Sequence, residues 1–351
     1  MNTIELFAGC GGAALGLEAA GFEHLALVEV DPDACATMRA AHLQPVIEGD
    51  VRDLDRIAAV VQAQPDLIWA SFPCQCWSVG GKRLGALDPR NGWPWTIDAI
   101  RRFSPDCFVG ENVRGITFHS EEHCGDPMHC PGCYTEQVIL EDLRSCFPCV
   151  ALWHLNAADI GIPQMRRRVF FVGSQVPISP PVATHSDHGG LFTQPWVSMS
   201  EALGLDLIDS EARKGCKNEP GLPQRTIGTK GNSMVSPTVA GTESSGVGGA
   251  RGRQILAQIL PSLPVNATEY KGATGRSNRA SDSLAMATGR RCLTIEEASK
   301  LQDFPDKYPF QGNNAAKYRQ IGNAVPPKMA QVVAEAIKTG LFQTSPATDP
   351  D

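Results

Sequence analysis

Leu67-Ile68-Trp69-Ala70-Ser71-Phe72-Pro73-Cys74-Gln75 decides the reading of this chain. Its four leading apolar residues read as a buried parallel strand that delivers Cys74 at its C-terminal end. In an open α/β sheet, ligands and chemistry gather at that end. Pro73 fixes its own φ, so the thiol that follows is held in place. Taken alone, such a cysteine also fits a half-buried structural role, so its surroundings decide.

Outward from that stretch, strand and helix patterns alternate over the first 115 residues. Strands read at 3–8, 25–30, 45–48, 66–71 and 106–111, and helices at 13–20, 32–41, 53–63 and 94–103. Such alternation predicts a mostly parallel sheet covered on both faces. A further helix reads at 134–145, and late strands at Ala151–Leu155 and Arg168–Val172. From about 175 prolines cluster, and Gly/Ser/Thr-rich stretches run from 228 to 252, as in a small loop-rich domain. Near 294 the pattern recovers, with Thr294 and Glu297 placed for a capping box before Ile295, Ala298 and Leu301. A last amphipathic helix spans 327–339. The expected organisation is an α/β domain at 1–175, a small domain at 176–290, a return to the first domain at 291–340 and a tail at 341–351.

At 351 residues the chain can build one large core and a smaller domain. No apolar run reaches membrane-span length and no signal peptide is visible, so the expected location is cytoplasmic. Twelve cysteines in a reducing compartment are expected as thiols, catalytic groups or metal ligands. The net charge is −7, yet residues 211–291 hold twelve Lys and Arg against five Asp and Glu. That local +7 on an acidic body is the asymmetry expected if one lobe meets phosphates. An ordinary charged loop region fits the charge equally well.

Phe7-Ala8-Gly9-Cys10-Gly11-Gly12 leaves the first strand and opens a helix. Glycines there let the backbone turn sharply and approach a ligand at the helix N-terminus. Glu29 ends the second strand, where a carboxylate can take both hydroxyls of a ribose. Asp50, after the third, can accept from an adenine amine. These features point to an adenosine-containing cofactor, NAD or S-adenosylmethionine.

Six blocks in register along nearly the whole chain resemble the DNA cytosine-5 methyltransferase family. They are Leu6-Phe7-Ala8-Gly9-Cys10-Gly11-Gly12, Phe72-Pro73-Cys74-Gln75, Glu111-Asn112-Val113 and Gly161-Ile162-Pro163-Gln164-Met165-Arg166-Arg167-Arg168. The fifth joins Arg291-Cys292-Leu293-Thr294 and Glu297 to Gln302-Asp303-Phe304-Pro305-Asp306; the sixth is Gln320-Ile321-Gly322-Asn323-Ala324-Val325. The resemblance implies a Rossmann-like S-adenosylmethionine-dependent methyltransferase with a target-recognition domain at about 176–290. It implies cofactor contacts from Phe7, Ala8, Gly9, Gly11, Gly12, Glu29, Val30, Asp50, Val51, Pro73 and Asn323. It also implies methyl transfer to carbon 5 of cytosine in a short sequence of double-stranded DNA, by a monomer with no membrane partner. A cognate restriction endonuclease, a phage and a stand-alone regulatory role are all settings it leaves open.

That chemistry explains the residue types. Carbon 5 of cytosine is a poor nucleophile until a thiolate adds at carbon 6, which makes Cys74 the expected nucleophile. A thiol at its ordinary pKa is mostly protonated at neutral pH, so the site should favour the thiolate. Glu111 is the expected acid at ring N3, with Arg168 and Arg166 on the base's O2 and Arg167 on the opposite face. The base must be flipped from the duplex, and Ser78–Gly92, with Lys82, Arg83 and Arg90 among glycines, reads as a mobile basic loop that closes over DNA.

Several residues depart from the family pattern. Cys76 is a second thiol near the nucleophile, but only Cys74 has a proline to anchor it. Trp77 replaces a common Phe, Glu296 stands where Arg is usual, and Trp93 fits either adenine stacking or core filling. Thr238-Val239 resembles a pair found in recognition domains. Cys124, Cys130 and Cys133, with His119, His123 and His129 close by, have the spacing of a zinc knuckle in which one His completes the set. Reduced, half-buried thiols are the alternative. Cys146 and Cys149 cannot share that ion, because a helix at 134–145 separates the pairs by about 18–20 Å. Other functions considered are an RNA cytosine-5 methyltransferase, a non-catalytic DNA-binding protein and a nicotinamide oxidoreductase, the last leaving the Pro-Cys and Pro-Gln-x-Arg-x-Arg segments unexplained.

Overall fold

A computed structural model of the chain describes residues 1–73, 85–204, 236–237, 256–258 and 290–342. Cys74, Cys76, Trp77, Thr238-Val239, residues 78–84 of the expected basic loop and most of the 211–291 segment lie outside the described residues. The alternation expected from sequence is present. Strands run β1 (Asn2–Leu6), β2 (Glu23–Glu29), β3 (Val46–Glu48), β4 (Leu67–Ala70), β5 (Cys107–Val113), β6 (Cys149–Asn156), β7 (Gln164–Met165) and β8 (Arg167–Ser174). All but β7 form one sheet in the order β3-β2-β1-β4-β5-β8-β6. Pairings from β3 through β5 are parallel, whereas β8 runs antiparallel to both β5 and β6. The strand order reverses between β1 and β4, so the crevice of a doubly wound sheet falls at their C-terminal ends. Phe7–Gly12 leaves one of those ends and Ser71–Pro73 the other.

Helices α1 (Gly12–Ala19), α2 (Pro32–Ala40), α3 (Leu54–Val60) and α4 (Trp93–Phe103) follow the first four strands. Strand alternation divides the core between the two faces. On β2, Ala26 and Val28 belong to the core cluster that includes Ile57 of α3 and Trp93, Ile97 and Ile100 of α4, while Leu27 belongs to the one that includes Cys35 and Met38 of α2. Asp31 caps α2 by accepting from the Asp33 N–H at 2.9 Å, and Pro32 takes the first helical position. The expected helix at 134–145 is built from α5 (Pro131–Tyr134), a π-helical turn at Thr135–Ile139 and α6 (Leu140–Cys146). The capping box is present: Thr294 Oγ1 accepts from Glu297 N at 3.2 Å, and Glu297 Oε2 accepts from Thr294 N at 2.9 Å. No helix among the described residues is long and apolar enough to cross a membrane.

The chain packs as two units, one of residues 1–156, 167–182 and 325–351, the other of 157–166 and 183–324. This division differs from the sequence expectation of a return at 291, because chain order does not report which long-range partners a helix takes. Within the second unit, Gln164 Nε2 donates to Leu301 O at 3.1 Å and Gln302 Oε1 at 2.7 Å, and Gln302 Nε2 donates to Ala324 O at 2.6 Å. Those bonds bind the Ile295–Leu301 helix and the Ala324 turn to β7.

Within the first unit, the C-terminal helix Pro327–Phe342 lies against α1 at very close range. A Cβ on Gly16 would sit 2.2 Å from the Pro327 carbonyl oxygen and 2.6 Å from Gln331 N. These are backbone atoms, which cannot swing aside as a side chain can. Gly16→Ala is therefore expected to destabilise the protein by about 1–3 kcal/mol, the cost of overpacking a tight contact. Urea unfolding checks this, and an unchanged midpoint contradicts the packing described.

Candidate functional site

At the end of β1 the backbone turns through left-handed residues, Phe7 at φ 58°, Gly9 at φ 56° and Gly11 at φ 88°. The turn positions amides rather than side chains. Gly9 N donates to Glu29 Oε2 at 2.7 Å, and the Val30 and Asp31 amides donate to Glu29 Oε1, each at 2.8 Å. Burial pushes the Glu29 carboxyl up, while those three amides pull the other way. The carboxylate thus joins the ends of β1 and β2; Oε1 takes two amides, and Oε2, with one, keeps a lone pair for a hydroxyl donor. A Cβ on Gly9 would meet nothing within 4 Å, so the turn faces open space. Val30 is 67% exposed beside it, an apolar surface next to a carboxylate. These residues fit the ribose and purine of an adenosine-containing cofactor, the ligand expected from sequence. Ala8, Gly12 and Val51 are buried, and Val51 belongs to the core.

Asp50 is arranged differently from the expectation. Its carboxylate pairs with the Arg52 guanidinium, Nε lying 2.9 Å from Oδ1 and 3.0 Å from Oδ2. That partner lowers the Asp50 pKa. Arg52 also lies over the Trp95 ring, 5.0 Å from its centroid. Sequence reading missed Arg52 and Trp95; Trp95, two residues beyond Trp93, was the only hint. Trp93 resolves to core filling: it is 1% exposed, packs edge-on against Phe72 and Phe108, and donates Nε1–H to Asp142 at 2.9 Å.

At the ends of β4 and β5 the structure assembles a second cluster. Ala70 pairs with Gly110, which places Glu111 and Asn112 beside Ser71–Pro73. Asn112 is 1% exposed and donates Nδ2–H to the Phe72 carbonyl at 3.1 Å. Its Oδ1 accepts from Val113 N at 2.8 Å. Gly92 closes the other side, where an added Cβ would lie 2.6 Å from Pro73 Cδ. Pro73, the residue before Cys74, is thereby gripped from two directions.

Glu111 and Arg168 meet across β5 and β8, whose register pairs Val113 with Arg168. Arg168 Nε lies 2.8 Å from Glu111 Oε1, and both side chains are about nine-tenths buried. The pair is close but poorly aligned, and that oxygen has no hydrogen-bond donor among the described residues. A buried carboxylate oxygen in this state is expensive unless something else donates to it. Arg167 is exposed, as expected from strand alternation.

Arg166 departs from the sequence expectation. It is 1% exposed, and its guanidinium donates to the carbonyls of Gly322 at 3.1 Å, Asn323 at 3.4 Å and Ala324 at 2.7 Å. Its donors hold a backbone turn within the second unit, so the base contact expected of it is not what the geometry provides. The Asn323 carbonyl is part of that turn and its residue is exposed. Arg90, expected on a DNA-facing loop, pairs with the buried Asp88 through Nε at 3.0 Å and Nη2 at 2.8 Å, and lowers the Asp88 pKa.

The His/Cys group is also brought together. His119 Nδ1 lies 3.9, 3.8 and 3.5 Å from the sulfurs of Cys124, Cys130 and Cys133. None of the eight cysteines whose side chains are described is in a disulfide.

The family described as C-5 cytosine-specific DNA methylase matches residues 1–195 and 206–339. Among similar curated proteins, Type II methyltransferase M.AplI of Arthrospira platensis is 31% identical over 96% of this chain and 86% of its own length. M.NgoMIV of Neisseria gonorrhoeae is 30% identical over 96% of each chain. The fold is shared with the Entamoeba histolytica methyltransferase EhMeth, at a TM-score of 0.62 and 16% identity, covering 97% of this chain and 98% of the other. A Spodoptera frugiperda DNMT2 variant gives a TM-score of 0.60 at 19% identity, covering 97% and 99%.

The Asn112 bond to Phe72 generates a direct test. Asn112→Asp keeps the shape, removes the donor and sets a carboxylate against a carbonyl oxygen. A loss of about 1–3 kcal/mol is expected in denaturant unfolding, the penalty for an unpaired buried acceptor. Wild-type stability in that variant contradicts the bond.

Proposed function

Because the chain belongs to the C-5 cytosine-specific DNA methylase family, we propose that its sheet-end clusters form one catalytic centre acting on an extrahelical cytosine. The enzyme is a DNA (cytosine-5-)-methyltransferase, and its family implies S-adenosylmethionine as the cofactor. Phe7, Gly9, Glu29 and Val30 would hold that cofactor at the end of β1 and β2. Bound there, it supplies an electrophilic methyl group.

The observation that carries the reading is the buried Glu111 oxygen, held beside Arg168 yet lacking an aligned donor among the described residues. A cytosine swung out of its duplex offers donors of its own, the exocyclic amine and, once protonated, N3. Glu111 protonates N3 as the Cys74 thiolate adds at carbon 6, which makes carbon 5 nucleophilic. Arg168 orients the Glu111 carboxylate and binds the base's O2, a role Arg166 does not share. Asn112 and Gly92 fix Pro73, and through it the thiol. With the methyl group on carbon 5, the C5 proton passes to a water, the bond from carbon 6 to Cys74 breaks, and the N3 proton returns to Glu111, completing the turnover. The basic 211–291 segment favours a short specific site in double-stranded DNA, and residues 176–290 would carry its recognition. The likeness to Type II methyltransferases favours a restriction-modification setting with a cognate endonuclease, in the cytoplasm.

A DNA duplex carrying 5-fluorocytosine at the target position is expected to trap a covalent complex with wild type and none with Cys74→Ala. An adduct persisting in Cys74→Ala moves the nucleophile to Cys76. Glu111→Gln is expected to lower kcat by about 10²–10⁴-fold, the range for losing a general acid. Bisulfite sequencing of DNA from expressing cells identifies the methylated position, and labelled methyl entering tRNA but not duplex DNA overturns the DNA substrate.

A further inference from the structure

We infer that His119, Cys124, Cys130 and Cys133 form a closed, structural Cys3His zinc site that pins the chain segment following the nucleophile loop. Zinc bonds of about 2.3 Å to sulfur and 2.0 Å to nitrogen, in a tetrahedron, hold their ligand atoms ~3.5–3.8 Å apart. The His119 Nδ1 to sulfur distances of 3.5 and 3.8 Å fall at that spacing, and the third, 3.9 Å, lies just beyond it. His119, Cys124 and Cys133 place their ligand atoms within 4.8 Å of one another, with Cys130 close to the same nitrogen. Three soft sulfurs and one imidazole select zinc over harder cations and leave no open position for catalysis.

The surroundings are those of a metal site as well. Amides are aimed at the sulfurs: Ser120 N donates to Cys130 Sγ at 3.3 Å, Cys133 N to Cys130 Sγ at 3.5 Å and Gly125 N to Cys133 Sγ at 3.0 Å. Such donors neutralise thiolate charge that a plain thiol does not carry. On the far side of the imidazole, Nε2 lies 3.2 Å from Glu136 Oε1. A carboxylate there fixes the tautomer with Nδ1 bare and raises its basicity, the outer-shell arrangement of zinc-bound histidines. Gly132 makes room for the ring, since a Cβ there would come within 2.8 Å of it. His129 is turned to Asp126 instead, at 2.6 Å, and His123 lies 3.9 Å from Glu122. Of three histidines near in sequence, the fold picks one.

The site has a mechanical consequence. Met128, between Cys124 and Cys130, accepts at its carbonyl from Ala86 N at 2.9 Å, and Gly85 packs directly on the same carbonyl. Gly85–Leu87 is the first described turn after Pro73. Asn91 Nδ2 adds a bond to the Tyr134 hydroxyl at 2.8 Å. Zinc would therefore anchor the returning end of the segment that carries Cys74.

Full-length protein purified without chelators should contain about one zinc per chain by plasma mass spectrometry. Cobalt substitution should give the intense visible bands of a tetrahedral thiolate site. Cys124→Ser, at an exposed position that leaves the core packed, and Cys133→Ser should each lose most of the zinc, whereas the Cys146→Ser/Cys149→Ser double variant keeps it. Glu136→Ala should bind zinc ~10–100-fold more weakly, as expected for removing an outer-shell partner. Chelation should speed amide exchange at 85–91. Zinc well below one equivalent that added Zn(II) cannot restore in reduced protein overturns the site. So does full zinc retention in Cys124→Ser and Cys133→Ser, or its loss in the 146/149 variant. Unchanged exchange at 85–91 on chelation overturns the anchoring role.

Discussion

The contact between Glu111 and Arg168 is the constraint on which the site depends. It exists because β8 enters the sheet antiparallel between β5 and β6, bringing Arg168 opposite Val113 and diagonal to Glu111. A parallel strand in that place would have delivered its arginines at the opposite end of the sheet. Buried ion pairs seldom add stability, because desolvation offsets their attraction, but removing one partner commonly costs about 3–5 kcal/mol. What the pair supplies is position: a carboxylate held at the strand ends with one oxygen lacking a hydrogen-bond donor among the described residues.

A polar tie recurs around the crevice, where two loops leaving the sheet are each held by a side chain at a neighbouring strand end. Gly9 is tied to Glu29 and Phe72 to Asn112. Both bonds use a backbone group of the loop, so the geometry tolerates changes of loop side chain but not loss of the holding residue. On the proposed reading, the two sides of the reaction are built on strand ends, the cofactor at β1 and β2 and the base at β4 and β5.

Much of this was legible in the sequence, for local reasons. Burial on both faces makes β4 an unbroken apolar run, Thr294 and Glu297 announce their own cap, and glycines mark the turn after β1. What was illegible depends on partners far along the chain. Arg166 and Arg168 share a strand face by alternation, yet one holds carbonyls some 156 residues away while the other reaches Glu111. Asp50 is the local exception: Arg52, two residues on, takes the carboxylate expected to accept from an adenine amine. Trp93 had two readings until Phe72, Phe108 and Asp142 closed around it. His119 could not be told from His123 and His129 until the knuckle turned its Nδ1 toward three sulfurs.

A double-mutant cycle on single-turnover methyl transfer, combining Glu111→Gln with Arg168→Met, probes the central interaction most directly. If the arginine acts by presenting the carboxylate, the double variant should be little slower than the worse single variant, because groups that act as a unit are not additive. Losses that multiply, each residue costing as much with its partner absent as with it present, would mean that the two work separately and that the contact across β5 and β8 does not organise the site.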